Sequence, residues 1–597
     1  MKCMRSKFVT SASLVSVFIL SVAGSTAFAA DGAGGVLQQL EKTDKMYRFK
    51  EKSPPVIELE KEKPVMEKPQ TGKKIFVKKF RLEGNTLISE KDLLAGVFLG
   101  EGKALTLDEI ISVADLVTAR YRDKGFLIVN AYVPSQRIFD GAVLSKKYGG
   151  YSSVNAFGTV TIRVIEGKVG TISVTGNNYY RSSFIEGFLE KVRHDPSLKE
   201  ETLVRELLIL NEYPLLSVKT TLKAGKEFGT TDIIATVSDK YPLFGTVSYD
   251  NFGVKSTSRN RLSAALNVGN ALTSGDLVKL NGILGLDDIA DPGRLAYGRV
   301  EYLVPVGGTG AQIGAYYSNT VYAVGGADSL AAVGLNGKAQ VVGIYATHPM
   351  VKRLDTSLNL KFGGESISLH DDLLNRTQDK DEVRKLIAGI SYESTDRFLG
   401  RNFISFGYAR GLGGFLGGTK NGAINPGPSY AGADNMFNKF NLDAMRVQKL
   451  PGYNHLIARG NVQYSPDRLF SAERVQVGGE GSVRGVTPAT ISGDSGYFTS
   501  LELVVSPFFP EKLIFNQKIG DTIQFALFTD CGWATNTSPR PSEINSSSVS
   551  SVGAGLRLYG DNRYIFKLDW ALPSTHGSYK SINVNESQVY VQAAVSF

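Results

Sequence analysis

Few residues in this chain have the type and spacing to do chemistry. GGEGSVRGV sets Arg484 between Val483 and Gly485 in a glycine-flanked stretch, and FTDCG sets Phe528, Asp530 and Gly532 at alternate positions of a strand-like run. In DTIQFALFTDCG, Ile523, Phe525 and Leu527 share one parity, while Gln524, Phe528, Asp530 and Gly532 share the other. If the first set meets an apolar surrounding, Asp530 points the opposite way. By the same parity Glu502, in SLELVVSP, faces inward with it. An arginine and a carboxylate brought together out of bulk water form a two-pronged, charge-assisted pair able to hold a loop in place. The residues alone leave a second arrangement open, with Arg484 on a solvated loop and Asp530 an ordinary polar wall residue.

Signals for catalysis fail on inspection. GGEGSVRG loosely resembles a phosphate loop, but it neither follows a buried parallel strand nor opens a helix. His370, Asp371 and Asp372, and the run Asp379, Lys380, Asp381 and Glu382, fall in a predicted loop and read as a solvated hydrophilic cap. There is no GxSxG run. The five histidines (His194, His348, His370, His455 and His576) lack metal-ligand spacing. The expectation is a non-enzyme with no cofactor and no metal.

The elements that must position these residues come from alternation. From Tyr241 to Phe597 about sixteen segments alternate apolar and polar residues, separated by Gly, Asp, Asn and Ser, with no credible helix among them. Tyr564, Phe566, Leu568, Trp570 and Leu572 share one face of a strand whose other face carries Lys567 and Asp569. The spacing, about 22 residues per strand and loop, suits strands of 9–11 residues tilted across a bilayer. The last segment ends on a stripe of Val589, Val591, Ala593, Val595 and Phe597, placed to close against the first strand. Closure leaves no open edge in lipid. The fold expected is a transmembrane antiparallel β-barrel with a polar lumen that offers no strong hydrophobic trap. A soluble β-sandwich also alternates, but it does not account for the long polar faces or for connections such as GLGGFLGGTKNGAINPG.

Ahead of the barrel the composition changes in stages. Lys2, Arg5 and Lys7, the apolar stretch from Phe8 to Ala23, and Ala27-Phe28-Ala29 form an export leader over 1–29. Its removal lowers the net charge from +9 to +6 and takes away Cys3, leaving Cys531 without an internal partner. Val36, Leu37, Leu40 and Tyr47 recur at roughly helical spacing, and a charged, proline-rich stretch follows, read as an extended linker. Two small units come next. Each opens with a strand ending in Gly-Asn (Gly84-Asn85, Gly176-Asn177), and the β-α-α-β-β order repeats after about 92 residues. In the first unit Thr106 and Glu109 form a capping box, and Gly125 ends the helix. Lysines and arginines recur singly between acids, so no nucleic-acid partner is expected. After the leader no apolar run is long enough for a membrane helix.

Two tandem β-α-α-β-β units between a leader and about sixteen alternating strands resemble the two-partner secretion transporters. These are the haemolysin and haemagglutinin secretion/activation proteins, whose superfamily includes the outer-membrane insertases. The resemblance covers nearly the whole mature chain. Its most specific residues are Val483-Arg484-Gly485, in the long connection after the eleventh strand, with Phe528, Asp530 and Gly532 on a later strand. Glu502, Leu503 and Pro507 resemble a further family strand, and Asp250, Asn251 and Gly253 a first-strand pattern. Val486 departs from the family, which usually has Tyr or Phe there.

The resemblance implies a plug helix over 30–50, a linker over 51–74, POTRA domains over 75–168 and 169–240, and a barrel of about 16 strands over 241–597. It implies that Arg484 folds inward onto Asp530. It also implies an outer-membrane pore in a Gram-negative-type bacterium, with the POTRA domains in the periplasm. The partners are then outer-membrane lipid and one large exoprotein carrying an N-terminal secretion domain, translocated unfolded to the cell surface. An insertase of the same superfamily is the alternative; it would be expected to carry more POTRA units and no plug helix. The stretch from Gly141 to Phe157 is longer than the family's usual connection.

Overall fold

The computed structural model describes residues 33, 36–38, 40, 55–59, 74–95, 101–136, 141–142, 145–147, 150–152, 156–286, 294–325, 334–420, 422, 426–514, 517–541, 543–561, 563–574 and 587–597. The leader over 1–29 and most of the linker over 51–74 lie outside them.

Sixteen strands close into one barrel, running from Leu243–Asp250 to Gln588–Ser596. Each strand pairs antiparallel with the next, and the last returns to the first in a register from Thr246↔Ser596 to Asp250↔Gln592. The alternation in the sequence is the alternation of faces. Phe525, Leu527, Trp570 and Val595 are exposed on the outside, whereas Asp530 and Asp569 are fully buried inside. A closed sheet with an apolar outer face satisfies its backbone in lipid. The seventh and eighth strands, Thr356–Leu373 and Arg376–Thr395, are 18 and 20 residues long. That is nearly twice what a tilted strand needs to cross the bilayer, so their hairpin extends past the membrane. This corrects one sequence expectation: Asp371 and Asp381 lie on these strands, not in a loop, and both are buried.

The two α+β units ahead of the barrel repeat one device. In the first, Ile75–Glu83 pairs parallel with Ala156–Glu166, and a helix over Leu107–Asp123 packs on the sheet through Ile110, Ala114, Val117 and Tyr121. Its capping box is present, with Glu109 N donating to Thr106 Oγ1 at 3.3 Å and Thr106 N donating to Glu109 Oε2 at 2.7 Å. The long connection holds a small hairpin, Ser145–Lys147 with Gly150–Ser152. In the second unit Lys168–Thr175 pairs parallel with Thr230–Asp239, which pairs antiparallel with Leu216–Ala224. Gly84 and Gly176 both have positive φ, and a Cβ at either would strike a carbonyl oxygen of the neighbouring strand, Val164 O or Val237 O. The turn after each is held by a carboxylate at the end of the unit's last strand. Glu166 accepts from Thr86 N at 2.7 Å and Leu87 N at 2.8 Å, and Asp239 from Tyr179 N at 2.7 Å and Tyr180 N at 2.9 Å.

Within the expected linker, Ile57–Leu59 forms a strand that pairs parallel with Leu216–Ala224, at the open edge of the second unit's sheet. The stretch is extended, as a linker is, and an exposed edge supplies it with backbone partners whatever the side chains. The second unit rests on the barrel's turns at one end: Arg181 N donates to Ser274 Oγ at 3.1 Å, and Arg353 Nη2 lies 2.6 Å from Glu201 Oε1. Lys352 pairs with Glu212 across the same junction.

The lumen is not uniformly polar. Ala339, Val341, Ile367, Leu369 and Val383 point inward from the sixth (Asn336–Lys352), seventh and eighth strands, and they are covered by Ala33, Val36, Leu37 and Leu40. These four residues are helical and buried. An apolar stripe at i, i+3, i+4 and i+7 and an apolar inner wall remove each other from water, which is why this stretch of wall need not be wet.

Candidate functional site

Residues 465–494 connect the eleventh strand, His455–Tyr464, to the twelfth, Ser495–Val505, and fold back into the barrel. A short antiparallel pair, Val475–Val477 with Ile491–Gly493, gives the loop a stem. Its valines provide the reason it turns inward. Val475, Val477, Val483, Val486 and Ile491 form one apolar cluster with Ala534 and Val549 of the barrel wall. Exposing such a knot to water is unfavourable, whereas the wall buries it. Val486 lies in this cluster, so at this position an aliphatic side chain fills the space.

At the loop tip, Arg484 is fully buried. Its Nε donates to Asp530 Oδ2 at 2.8 Å and its Nη2 to Asp530 Oδ1 at 2.9 Å, a bidentate pair. Nη1 donates to Glu502 Oε2 at 2.7 Å and to Asp569 Oδ2 at 3.3 Å, and Nη2 also donates to Ser500 Oγ at 3.2 Å. All five guanidinium hydrogens thus have acceptors. The guanidinium carbon lies 3.3 Å from the centre of the Phe528 ring, a stacked cation–π contact. The Arg484 backbone N–H adds a bond to Asp530 Oδ2 at 3.1 Å.

The flanking residues have their own parts. Gly485 has φ +91°, and its N–H donates to Tyr590 Oη at 3.1 Å while Tyr590 Oη donates to Val486 O at 3.0 Å. A Cβ on Gly532 would run into Val477 and Val483, so the missing side chain makes room for the loop's valines. The structure therefore brings together Val483, Arg484, Gly485, Phe528, Asp530, Gly532 and Glu502, drawn from the loop and from the twelfth and thirteenth strands.

Sequence reasoning missed the rest of the network. Arg557 donates to Asp569 and, through Nη2, to Glu502 Oε1 at 3.0 Å. Lys567 pairs with Glu480 on the loop and lies 3.3 Å from Asp569 Oδ2. Ser500 and Tyr590 complete it. The only available signal was parity: Lys567 and Asp569 were placed on the inner face, but nothing in the sequence says which inner residues meet across a barrel. The arrangement contains no nucleophile–base pair. What it can do is hold: three cations and four carboxylates (Asp530, Glu502, Asp569 and Glu480) interlock the loop with the twelfth to fifteenth strands. Removing one member of a buried pair leaves the other charge unpaired, at a cost of about 3–5 kcal/mol.

A family model described as haemolysin secretion/activation protein ShlB/FhaC/HecB matches residues 229–558, and one for a ShlB-type POTRA domain matches residues 75–144. The chain is 24% identical over 478 residues to the heme/hemopexin transporter protein HuxB of Haemophilus influenzae (strain 86-028NP), covering 79% of this chain and 78% of that protein. It is 23% identical over 492 residues to the outer membrane transporter CdiB of Escherichia coli, covering 78% and 73%. In fold it is similar to the solved structure of CdiB from Escherichia coli, with TM-score 0.65 and 18% identity over 98% of this chain and 100% of that one. Its likeness to BamA from Haemophilus ducreyi lacking POTRA domains 1-3 is lower, TM-score 0.50 at 14% identity over 87% and 100%. A closed sixteen-stranded barrel preceded by a POTRA-type α+β unit thus agrees with the family match, and the insertase alternative has less support. The chain belongs to the haemolysin secretion/activation protein ShlB/FhaC/HecB family, the outer-membrane transporters of two-partner secretion, with its barrel in the outer membrane and its POTRA units in the periplasm.

Proposed function

We propose that this transporter captures one large exoprotein through that protein's N-terminal secretion domain, by strand addition to the second POTRA unit, and then passes it unfolded through the lumen. The observation that carries this reading is the sheet edge Leu216–Ala224, which among the described residues is covered by the three-residue strand Ile57–Leu59 alone. An extended chain adding there gains main-chain hydrogen bonds with little demand on its side chains. It must first displace Ile57–Leu59, and that strand leads back to the segment in the lumen. Capture would thereby pull on the plug. The Arg484 network holds the loop in its closed position until the exoprotein enters, and no chemical step on the transporter is required. In this reading 30–50 is the plug, 51–74 its tether, 75–168 and 169–240 the two POTRA domains, and 241–597 the pore.

Replacing Ile57, Glu58 and Leu59 by proline tests this, because it keeps the length of the tether and removes the backbone N–H donors that the pairing needs. Binding of a purified N-terminal secretion-domain fragment to the full chain should tighten roughly tenfold, the size expected when one or two competing hydrogen bonds are lost. Unchanged affinity would mean that this edge is not the docking site.

A further inference from the structure

Among the described residues the Arg484 network makes no hydrogen bond to the helical residues in the lumen, and another set of side chains does. Ala33 N donates to Asp371 Oδ1 at 3.0 Å, and Asp371 also accepts from Tyr322 Oη at 2.8 Å. Five residues further along the helical segment, Gln38 Nε2 donates to Ser471 O at 3.2 Å. Ser471 belongs to the base of the inward loop; its N–H donates to Ser429 Oγ at 3.0 Å, and Ser429 in turn donates through N–H and Oγ to Asp381. Asp371 and Asp381 are the carboxylates that the sequence reading placed in a solvated cap.

We propose that Asp371 and Asp381 are positioning residues that seat the lumenal segment, Asp371 directly and Asp381 through Ser429 and Ser471. The apolar contact with Ile367, Leu369 and Val383 supplies adhesion, but adhesion has no direction and permits sliding along the wall. The two hydrogen-bonded ends fix the register. The chemistry of the seat also differs from that of the loop tip. Among the described residues neither Asp371 nor Asp381 is ion-paired with a cation, whereas Arg484 is paired with three carboxylates. Water entering from the lumen can replace the acceptor and donors of the seat one for one, so the seat releases more readily than the tip. Opening then proceeds in two separable stages, the helical segment before the loop tip.

This inference rests on the reading of 30–50 as a plug, and its test keeps the two apart. Full-length protein is reconstituted in planar bilayers and its conductance compared for the native chain, Asp371→Ala, Gln38→Ala, a deletion of 31–50, and Asp371→Ala within that deletion. Losing a charge-assisted bond should shift the seated-to-released ratio roughly ten- to a hundredfold towards release, raising mean conductance towards that of the deletion. Within the deletion, Asp371→Ala should add nothing. Gln38→Ala leaves the barrel wall untouched and should act in the same direction, which covers the case in which Asp371→Ala does not fold. If the deletion raises conductance while Asp371→Ala and Gln38→Ala do not, the seat is wrong. An equal effect of Asp371→Ala with and without residues 31–50 would also overturn it. If the deletion itself changes nothing, the plug reading fails first.

Discussion

Arg484 meets three carboxylates, a serine and an aromatic face with one planar group, and only a guanidinium has that reach. Arg484→Ala should leave the barrel folded but cut exoprotein export at least tenfold, because Asp530, Asp569 and Glu502 lose their common partner. Arg484→Lys should restore little, since a single ammonium cannot bridge both prongs of Asp530 and also reach Glu502 and Ser500. Surface display of the exoprotein, measured beside heat-modifiable mobility of the barrel, checks both; export at native level in either variant would remove the network from the mechanism. This was the most legible part of the site. Parity set Asp530 inward, and the Val483-Arg484-Gly485 stretch marked the loop tip. Asp569, Arg557 and Tyr590 were not legible, because many polar residues face the lumen and sequence distance says nothing about which of them converge.

At the scale of elements, each POTRA unit depends on a strand-terminal carboxylate that ties down the turn after Gly-Asn. Burial pushes the Asp239 carboxyl up, but hydrogen bonds from the N–H groups of Tyr180, Tyr179 and Asn178 outweigh it and hold the group below the usual carboxylate range. Glu166 is shifted down in the same way: desolvation opposes, and bonds from Thr86, Leu87 and Tyr121 prevail. For a depressed carboxyl the linked stability is present above the unfolded-state pKa and is lost as pH falls through the folded-state value. Amide-exchange protection at 178–180 in the full chain should therefore drop as the pH is lowered from about 4.5 to 2, relative to the sheet, and Asp239→Ala should remove it at all pH. Protection that is independent of both would show that the carboxylate does not hold the turn. The repeat of Gly84-Asn85 at Gly176-Asn177 made both turns readable in advance. The strand Ile57–Leu59 was not, because three residues among prolines and charges carry no period; the edge it covers, not its own sequence, makes it a strand.

For the molecule as a whole, alternation gave the barrel and its outer face but misjudged its inside. A polar lumen was expected, yet part of its wall is apolar because another part of the chain covers it. Strands longer than the membrane requires were read as strand plus loop, which hid Asp371 and Asp381. We propose that this closed, lipid-embedded cylinder moves a polypeptide from the POTRA side to the other without chemical fuel. The direct measurement uses vesicles carrying the purified chain in oriented form, with an unfolded exoprotein fragment bearing its secretion domain added on the POTRA side. The account predicts that the fragment becomes protease-protected in the lumen of the vesicle without ATP and only when the secretion domain is present. A fragment that stays accessible, or one that crosses only when ATP is supplied, would contradict it.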